Sequence, residues 1–278
     1  MAGSLDLQPL GTCIGAEVKG LDLRAPPDCA LAEALDAALA EHIVLVLRGQ
    51  SLTPEQYRAA MSTLGEPMYQ HREKFNLPEC REVSRVTNRD GFPPAIHWHT
   101  DHTNHEIPPK YTVLYSVQIP ASGGDTAFAN MAAALETLPA AERRALGTLY
   151  TLNNMEPDGG YSQKDRARHP GGVRHPLVRV HPATRRQALY FHVSKSQGIE
   201  GMAPGAVKPF LQSLLDRTIR PEITYRHRWR AGDLVICDNR AAMHRVYPDS
   251  APGEPRLLWR MILKGERPIG PADRRRPH

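Results

Sequence analysis

The feature that most limits how this chain can fold is its supply of short, separate β-rich runs. YTVLYSVQI, PLVRVHP, ALYFHVS, LVICDN and RLLWRMILKG are rich in β-branched and aromatic residues, and turn-prone pieces such as PASGGD and PATRRQ divide them. IVLVL, Ile43 to Leu47, is apolar throughout and reads as a buried strand. Helical patterns are fewer and irregularly placed. In DCALAEALDAALAEH, Leu31, Leu35 and Leu39 recur every fourth residue behind Asp28 as N-cap. In LTPEQYRAAMSTLG, Thr53 and Gln56 form a capping box around Pro54, and Gly65 closes the segment. MAAALETLPAAERRAL and VKPFLQSLLDRT are the other helical stretches, and polar loops are expected over residues 153–172 and 103–110. A doubly wound sheet would need strand and helix to alternate, and here they do not. The pattern predicts a mainly β fold with helical decorations, an antiparallel barrel or jelly roll, spanning 1–278 as a single domain.

Charge and composition exclude several functions. Net charge is +5, and much of the basic excess lies in GERPIGPADRRRPH, so residues from about 268 to 278 are expected to form a flexible basic tail. No basic face interleaved with aromatics is present, which argues against nucleic acid as a partner. No apolar stretch approaches the ~20 residues that span a bilayer, so no membrane role is expected. Cys13, Cys29, Cys80 and Cys237 form no C-x-x-C pair, and MAGSLDLQPL lacks the pattern of a secretory leader. The expectation is a reduced, cytoplasmic protein, with homo-oligomerisation left open.

Chemistry concentrates in AIHWHTDHTNHEIPPK. Four histidines and Asp101 fall within the nine residues His97 to His105. On an extended strand His99 and Asp101 share a face, so an imidazole and a carboxylate can meet one ion. A stable site needs a third ligand, and His244, just after the strand-like LVICDN, is the best candidate. Two histidines and a carboxylate on one octahedral face are the ligand set of non-haem Fe(II) oxygenases. His97 shares the parity of His99, so spacing alone also permits a zinc hydrolase built on His97, His99 and Asp101.

Four blocks in order then resemble the taurine dioxygenase and phenoxyacetate dioxygenase family of Fe(II)- and 2-oxoglutarate-dependent enzymes: WHTDHTN, SGGDTAFANM, WRAGDLVICDNRAAMHR and RLLWRMILKGERP. The family fold is a double-stranded β-helix, a cupin-like jelly roll. The resemblance implies that His99, Asp101 and His244 hold Fe(II), with His97, His102 and His105 at the rim. It further implies that Thr126 of GGDT (beside Asp125) and Arg256, twelve residues after His244, bind the distal carboxylate of 2-oxoglutarate. A planar guanidinium grips a carboxylate bidentately, and the hydroxyl adds a neutral donor. The implied reaction uses O2 to decarboxylate 2-oxoglutarate to succinate and CO2 while oxidising, by default hydroxylating, a substrate C–H bond.

On the substrate side the resemblance points to His71, Arg260 and His192, with Tyr69 and Lys195 as looser candidates. Arg260 lies four residues beyond Arg256, an even offset that puts both guanidinium groups on one strand face. The expected substrate is a small organic anion bearing a carboxylate, sulfonate or sulfate. Ala95 stands where the taurine enzyme has asparagine, and HTNHE departs from it too; both count against taurine itself. A cupin-like metalloprotein that binds a small anion without redox turnover is the alternative, although it would have no use for Thr126 and Arg256 together.

Overall fold

The computed structural model describes residues 5–69, 73–90, 94–156, 161–168 and 171–273. The N-terminal part runs β1 (Asp6–Pro9), β2 (Ala16–Lys19), α1 (Cys29–His42), β3 (Val44–Leu47), α2 (Pro54–Ser62), β4 (Pro67–Met68) and β5 (Ser84–Thr87). The middle carries β6 (Pro109–Gln118), β7 (Thr126–Asn130), α3 (Met131–Glu136), α4 (Ala140–Leu146), β8 (Tyr150–Asn153), α5 (Gln163–Arg168) and β9 (Val173–Pro176). Then come β10 (Val178–Val180), β11 (Gln187–Leu189), β12 (Ser196–Ile199), α6 (Pro204–Thr218), β13 (Thr224–His227), β14 (Leu234–Asp238), β15 (Ala242–Val246) and β16 (Leu257–Lys264).

The large sheet has the order β1-β2-β3-β14-β6-β16-β4, with β5 also on β16, and the smaller sheet facing it is β13-β7-β15. All of these pairings are antiparallel except β2 with β3. This is the expected jelly roll. The apolar run at Val44–Leu47 is explained by burial on both faces. Val44 and Val46 pack with Val235, Cys237, Leu114, Phe128 and Ala242 between the sheets. Leu45 and Leu47 pack with Leu234, Ile236, Tyr111 and Val113 beneath α1 and α2.

The two helices that roof the large sheet start where their caps dictate. The Asp28 side chain accepts from Leu31 N, and Thr53 and Gln56 complete the capping box of α2. Leu35 and Leu39 of α1 and Tyr57 and Met61 of α2 are fully buried, each contributing about 1.5–3 kcal/mol of apolar burial. The stretch MAAALETLPAAERRAL breaks at Pro139 into α3 and α4. Three expectations are revised. The polar stretch 153–172 holds α5, and the stretch 103–110 ends in the first residues of β6. Residues 268–273, expected in a solvated tail, bond to the body: Val180 N donates to Ile269 O, and the Tyr150 hydroxyl donates to Asp273. Residues 274–278 lie outside the described residues.

Candidate metal and cosubstrate site

The backbone brings the two outer histidines face to face. His99 N donates to His244 O at 3.1 Å and His244 N donates to His99 O at 2.9 Å. A mutually bonded antiparallel pair projects both side chains to one side of the ladder, and the imidazole centroids stand 4.3 Å apart. His244 follows the expected strand, β14, and lies on β15, and His99 forms isolated bridges to His244 and His192. The strand expected to carry both His99 and Asp101 is therefore one bridge long. Asp101 begins a turn, and His102 takes φ 51°, in the left-handed region. Strand parity alone does not account for how His99 and Asp101 come together.

Neighbours orient each donor atom. His99 Nδ1 lies 2.8 Å from His97 O; a carbonyl can only accept, so Nδ1 carries the proton and Nε2 presents a lone pair. The Thr112 hydroxyl of β6 donates to Asp101 Oδ2 at 2.7 Å, and Asn239 Nδ2 donates to Thr112 Oγ1 at 2.9 Å. Thr100 Oγ1 donates to Ala242 O and pins the segment to β15. Asp101 Oδ1 is then 3.8 Å from His99 Nε2, and Asp101 Oδ2 is 3.9 Å from His244 Nε2. One donor atom from each of the three residues lies within 4.8 Å of the others, and all three residues are buried.

Electrostatics prepares this set for a cation. Burial pushes the His99 imidazole down, and burial with His99 as neighbour pushes His244 down to about 3. Burial opposes ionisation of Asp101, but its interactions with His244, Arg260, His102 and His99 outweigh it and hold the carboxyl well below its usual range. Two neutral imidazoles and one carboxylate, too far apart to bond each other, converge on one point. That donor set fits a divalent iron.

A second cradle lies on the same side. Arg256 is buried at 9% exposure, and its Nε donates to Gly124 O at 2.9 Å and its Nη2 to Thr126 Oγ1 at 3.4 Å. Both acceptors are neutral, and among the described residues Arg256 makes no ion pair. Burial draws its pKa down to about 10 although Asp125 opposes this. Asp125 itself pairs with Arg226 at 2.7 Å. Gly124 has φ +68°, and a Cβ there would sit 3.1 Å from Arg256 Cδ, so the glycine lets the guanidinium stem in. A buried cation beside a hydroxyl fits the distal carboxylate of 2-oxoglutarate.

The substrate-side expectations divide. Arg260, half-buried on β16, lies close enough for its charge to act on His99, Asp101 and His244. The His192 ring is 5.4 Å from that of His99, with Nε2 3.6 Å from Glu156, and burial with Lys195 nearby pushes its pKa well down. Tyr69 is 63% exposed. His71 lies outside the described residues. His97 is exposed and contributes its carbonyl rather than its ring. His102 and His105 stack edge to face beside the turn and do not join the donor group. Sequence reasoning missed Thr112, Asn239 and Trp229, whose Nε1 donates to Thr126 Oγ1 at 3.0 Å. A signal existed for Thr112: in YTVLYSVQI, Thr112 and Ser116 alternate with Tyr111, Val113 and Tyr115, so one face of that strand meets something polar.

A family model described as taurine catabolism dioxygenase TauD, TfdA family matches residues 6–262. The chain belongs to this family. It is 36% identical to an alpha-ketoglutarate-dependent sulfate ester dioxygenase of Pseudomonas putida, over 96% of this chain and 91% of that one. It is 32% identical to an alpha-ketoglutarate-dependent 2,4-dichlorophenoxyacetate dioxygenase of Cupriavidus pinatubonensis, over 87% and 92%. Among solved structures, a taurine dioxygenase from Burkholderia xenovorans superimposes with a TM-score of 0.85 at 34% identity, covering 98% of this chain and 93% of that one. As a TauD, TfdA enzyme the protein is a non-haem Fe(II)- and 2-oxoglutarate-dependent dioxygenase, and its cosubstrates are 2-oxoglutarate and O2. Membership sets aside the redox-inert alternative.

Proposed function

We propose that His99, Asp101 and His244 hold Fe(II), that Thr126 and Arg256 take the distal carboxylate of 2-oxoglutarate, and that Arg260 faces the anionic group of a small organic substrate. One observation carries the reading. The chain holds both a convergent His-Asp-His donor set and a buried arginine that, among the described residues, has no carboxylate partner. His244 and Thr126 project from one face of the β7–β15 ladder, and redox-inert anion binding needs only one of the two groups. When bound, iron and 2-oxoglutarate supply O2 activation, which couples loss of CO2 and formation of succinate to oxidation of a substrate C–H bond.

The chain's own residues select and place. Thr112 holds the Asp101 carboxylate, and the His97 carbonyl fixes the His99 tautomer, so both ligands arrive preoriented. Arg256 and Thr126 orient the cosubstrate at its far end. Arg260 of β16, beside the ligands, supplies a cation to the substrate, and His192 walls the flank beyond His99. An arginine near a buried site is held more cheaply when an anion meets it. The likeness to a sulfate ester dioxygenase and a phenoxyacetate dioxygenase supports sulfate, sulfonate or carboxylate as that anion, and organic sulfate esters come first. A hydroxyl placed on the carbon that bears the ester oxygen collapses to an aldehyde and inorganic sulfate.

Cytoplasmic location is supported by four free thiols among the described residues, and no described helix is long and apolar enough to cross a membrane. A single domain is supported by β16, near the C-terminal end, which pairs with β4, β5 and β6. The test is a screen of alkyl sulfates, sulfonates and aryloxy carboxylates for stimulated succinate release. Arg260→Ala should raise KM for the best anion strongly and leave basal 2-oxoglutarate consumption near that of the parent. A neutral or cationic best substrate, or a normal KM in Arg260→Ala, contradicts the anionic assignment.

A further inference from the structure

Thr126 Oγ1 accepts the Trp229 indole N–H at 3.0 Å and an Arg256 N–H at 3.4 Å. Neither donor can act as an acceptor. A hydroxyl has two lone pairs and one proton, so these bonds use its accepting capacity and leave the proton as its only remaining function. No acceptor for that proton is present among the described residues. From this the geometry points to Trp229 as a positioning residue: its indole N–H sets the polarity of the Thr126 hydroxyl, so that the hydroxyl donates to the distal carboxylate of 2-oxoglutarate. The inference rests on the placement of that carboxylate between Thr126 and Arg256 proposed above.

The fold spends several contacts on holding the indole. His227 of β13 pairs with Thr126 of β7, which places the start of the following segment beside the hydroxyl. Asp233 then ties both flanks of Trp229: its carboxylate accepts from Arg230 N at 2.7 Å and from His227 Nε2 at 3.1 Å, and it pairs with Arg48. The His227 ring meets the indole edge-on with centroids 4.4 Å apart, and Tyr225 bonds the other nitrogen of that imidazole at 2.9 Å. Trp229 is 8% exposed, at the edge of the core between the sheets. Packing alone would accept Phe there. The N–H is what Phe lacks, and a buried hydroxyl freed from it can turn its proton away from the carboxylate.

The test is calorimetric binding to the Mn(II)-loaded protein without turnover, using 2-oxoglutarate and, as a control, pyruvate, which keeps the 2-oxo acid end and lacks the distal carboxylate. Trp229→Phe should weaken 2-oxoglutarate about threefold to tenfold, the range of one neutral hydrogen bond, and leave pyruvate unchanged. Thr126→Val should also weaken 2-oxoglutarate, and adding Trp229→Phe to it should cost nothing further. Replacing Trp229 by 3-benzothienylalanine, which keeps the shape and exchanges N–H for sulfur, should reproduce the Phe effect. The inference is overturned if Thr126→Val weakens 2-oxoglutarate while Trp229→Phe does not. It is also overturned if the isostere binds like the parent, if the two losses add, or if pyruvate weakens in parallel. If Thr126→Val itself has no effect, the underlying placement of the carboxylate fails instead.

Discussion

Arg256→Met removes a charge that the fold holds against burial. The guanidinium donates to two neutral oxygens, and its pKa is drawn down to about 10. At about 1.4 kcal/mol per tenfold change in ionisation, carrying that charge without an anion costs the ligand-free fold roughly 3 kcal/mol. Met keeps the stem that packs on Gly124 but leaves the Gly124 carbonyl without its donor, a loss of about 1–3 kcal/mol. The two nearly cancel, so the ligand-free variant should melt within a few degrees of the parent. Binding has no such cancellation. A charge-assisted contact to a carboxylate contributes about 1.5–3 kcal/mol, so affinity for 2-oxoglutarate should fall about tenfold to hundredfold. Titration of the Mn(II)-loaded protein gives Kd, and melts with and without 2-oxoglutarate give the linked stabilisation. The parent should be stabilised at ligand concentrations that leave the variant unmoved. An unchanged Kd would refute the assignment, and collapse of the ligand-free variant would refute the energetic reasoning.

Thr112→Val deletes the hydroxyl that donates to Asp101 Oδ2; metal affinity, read by Mn(II) titration, should fall about tenfold or more, and parent-like affinity would show that the carboxylate needs no such support. Stability should decline on acidification because burial pushes His175 down to about 4 while its Nε2 bonds His105 O. The folded pKa lies below the unfolded value of about 6.5, so the unfolded chain takes the proton first as pH falls. The full contribution is present above about pH 6.5 and is lost toward pH 4, with about 2 kcal/mol gone by pH 5. Urea midpoints at pH 7.5 and 5 check this; His175→Gln should flatten the dependence, and equal midpoints in the parent would contradict it.

Legibility in the sequence followed the range of the interaction. α1, α2 and β3 were readable because an Asp28 cap, a Thr53–Gln56 box and a four-residue apolar run are local signals. β13 and β15 were not, since TYRH and AMHRV are short and mixed, and only pairing with β7 makes them strands. The metal candidates were found through ordered motifs, while their geometry depends on a backbone pair between His99 and His244 that no spacing rule contains. Thr112, Asn239 and Trp229 are neutral side chains whose role is to orient others across the fold. Asn239 and Trp229 act only where residues more than 100 apart in sequence meet, on Thr112 and Thr126, whereas Thr112 reaches Asp101 across a turn eleven residues away. Arg256 could be chosen over other arginines by its place in the C-terminal block, but that it has no anionic partner among the described residues is a three-dimensional fact.

The most direct test of the central claim is an anaerobic titration of the metal-free protein with Fe(II) and then 2-oxoglutarate, following the weak metal-to-ligand absorption band. The parent and His97→Ala, whose ring stands outside the donor group, should both develop the band with a single equivalent of each component. His99→Ala, Asp101→Ala and His244→Ala should lose it while remaining folded. A band that survives in His244→Ala, or that disappears in His97→Ala alone, would contradict the ligand assignment on which the account rests.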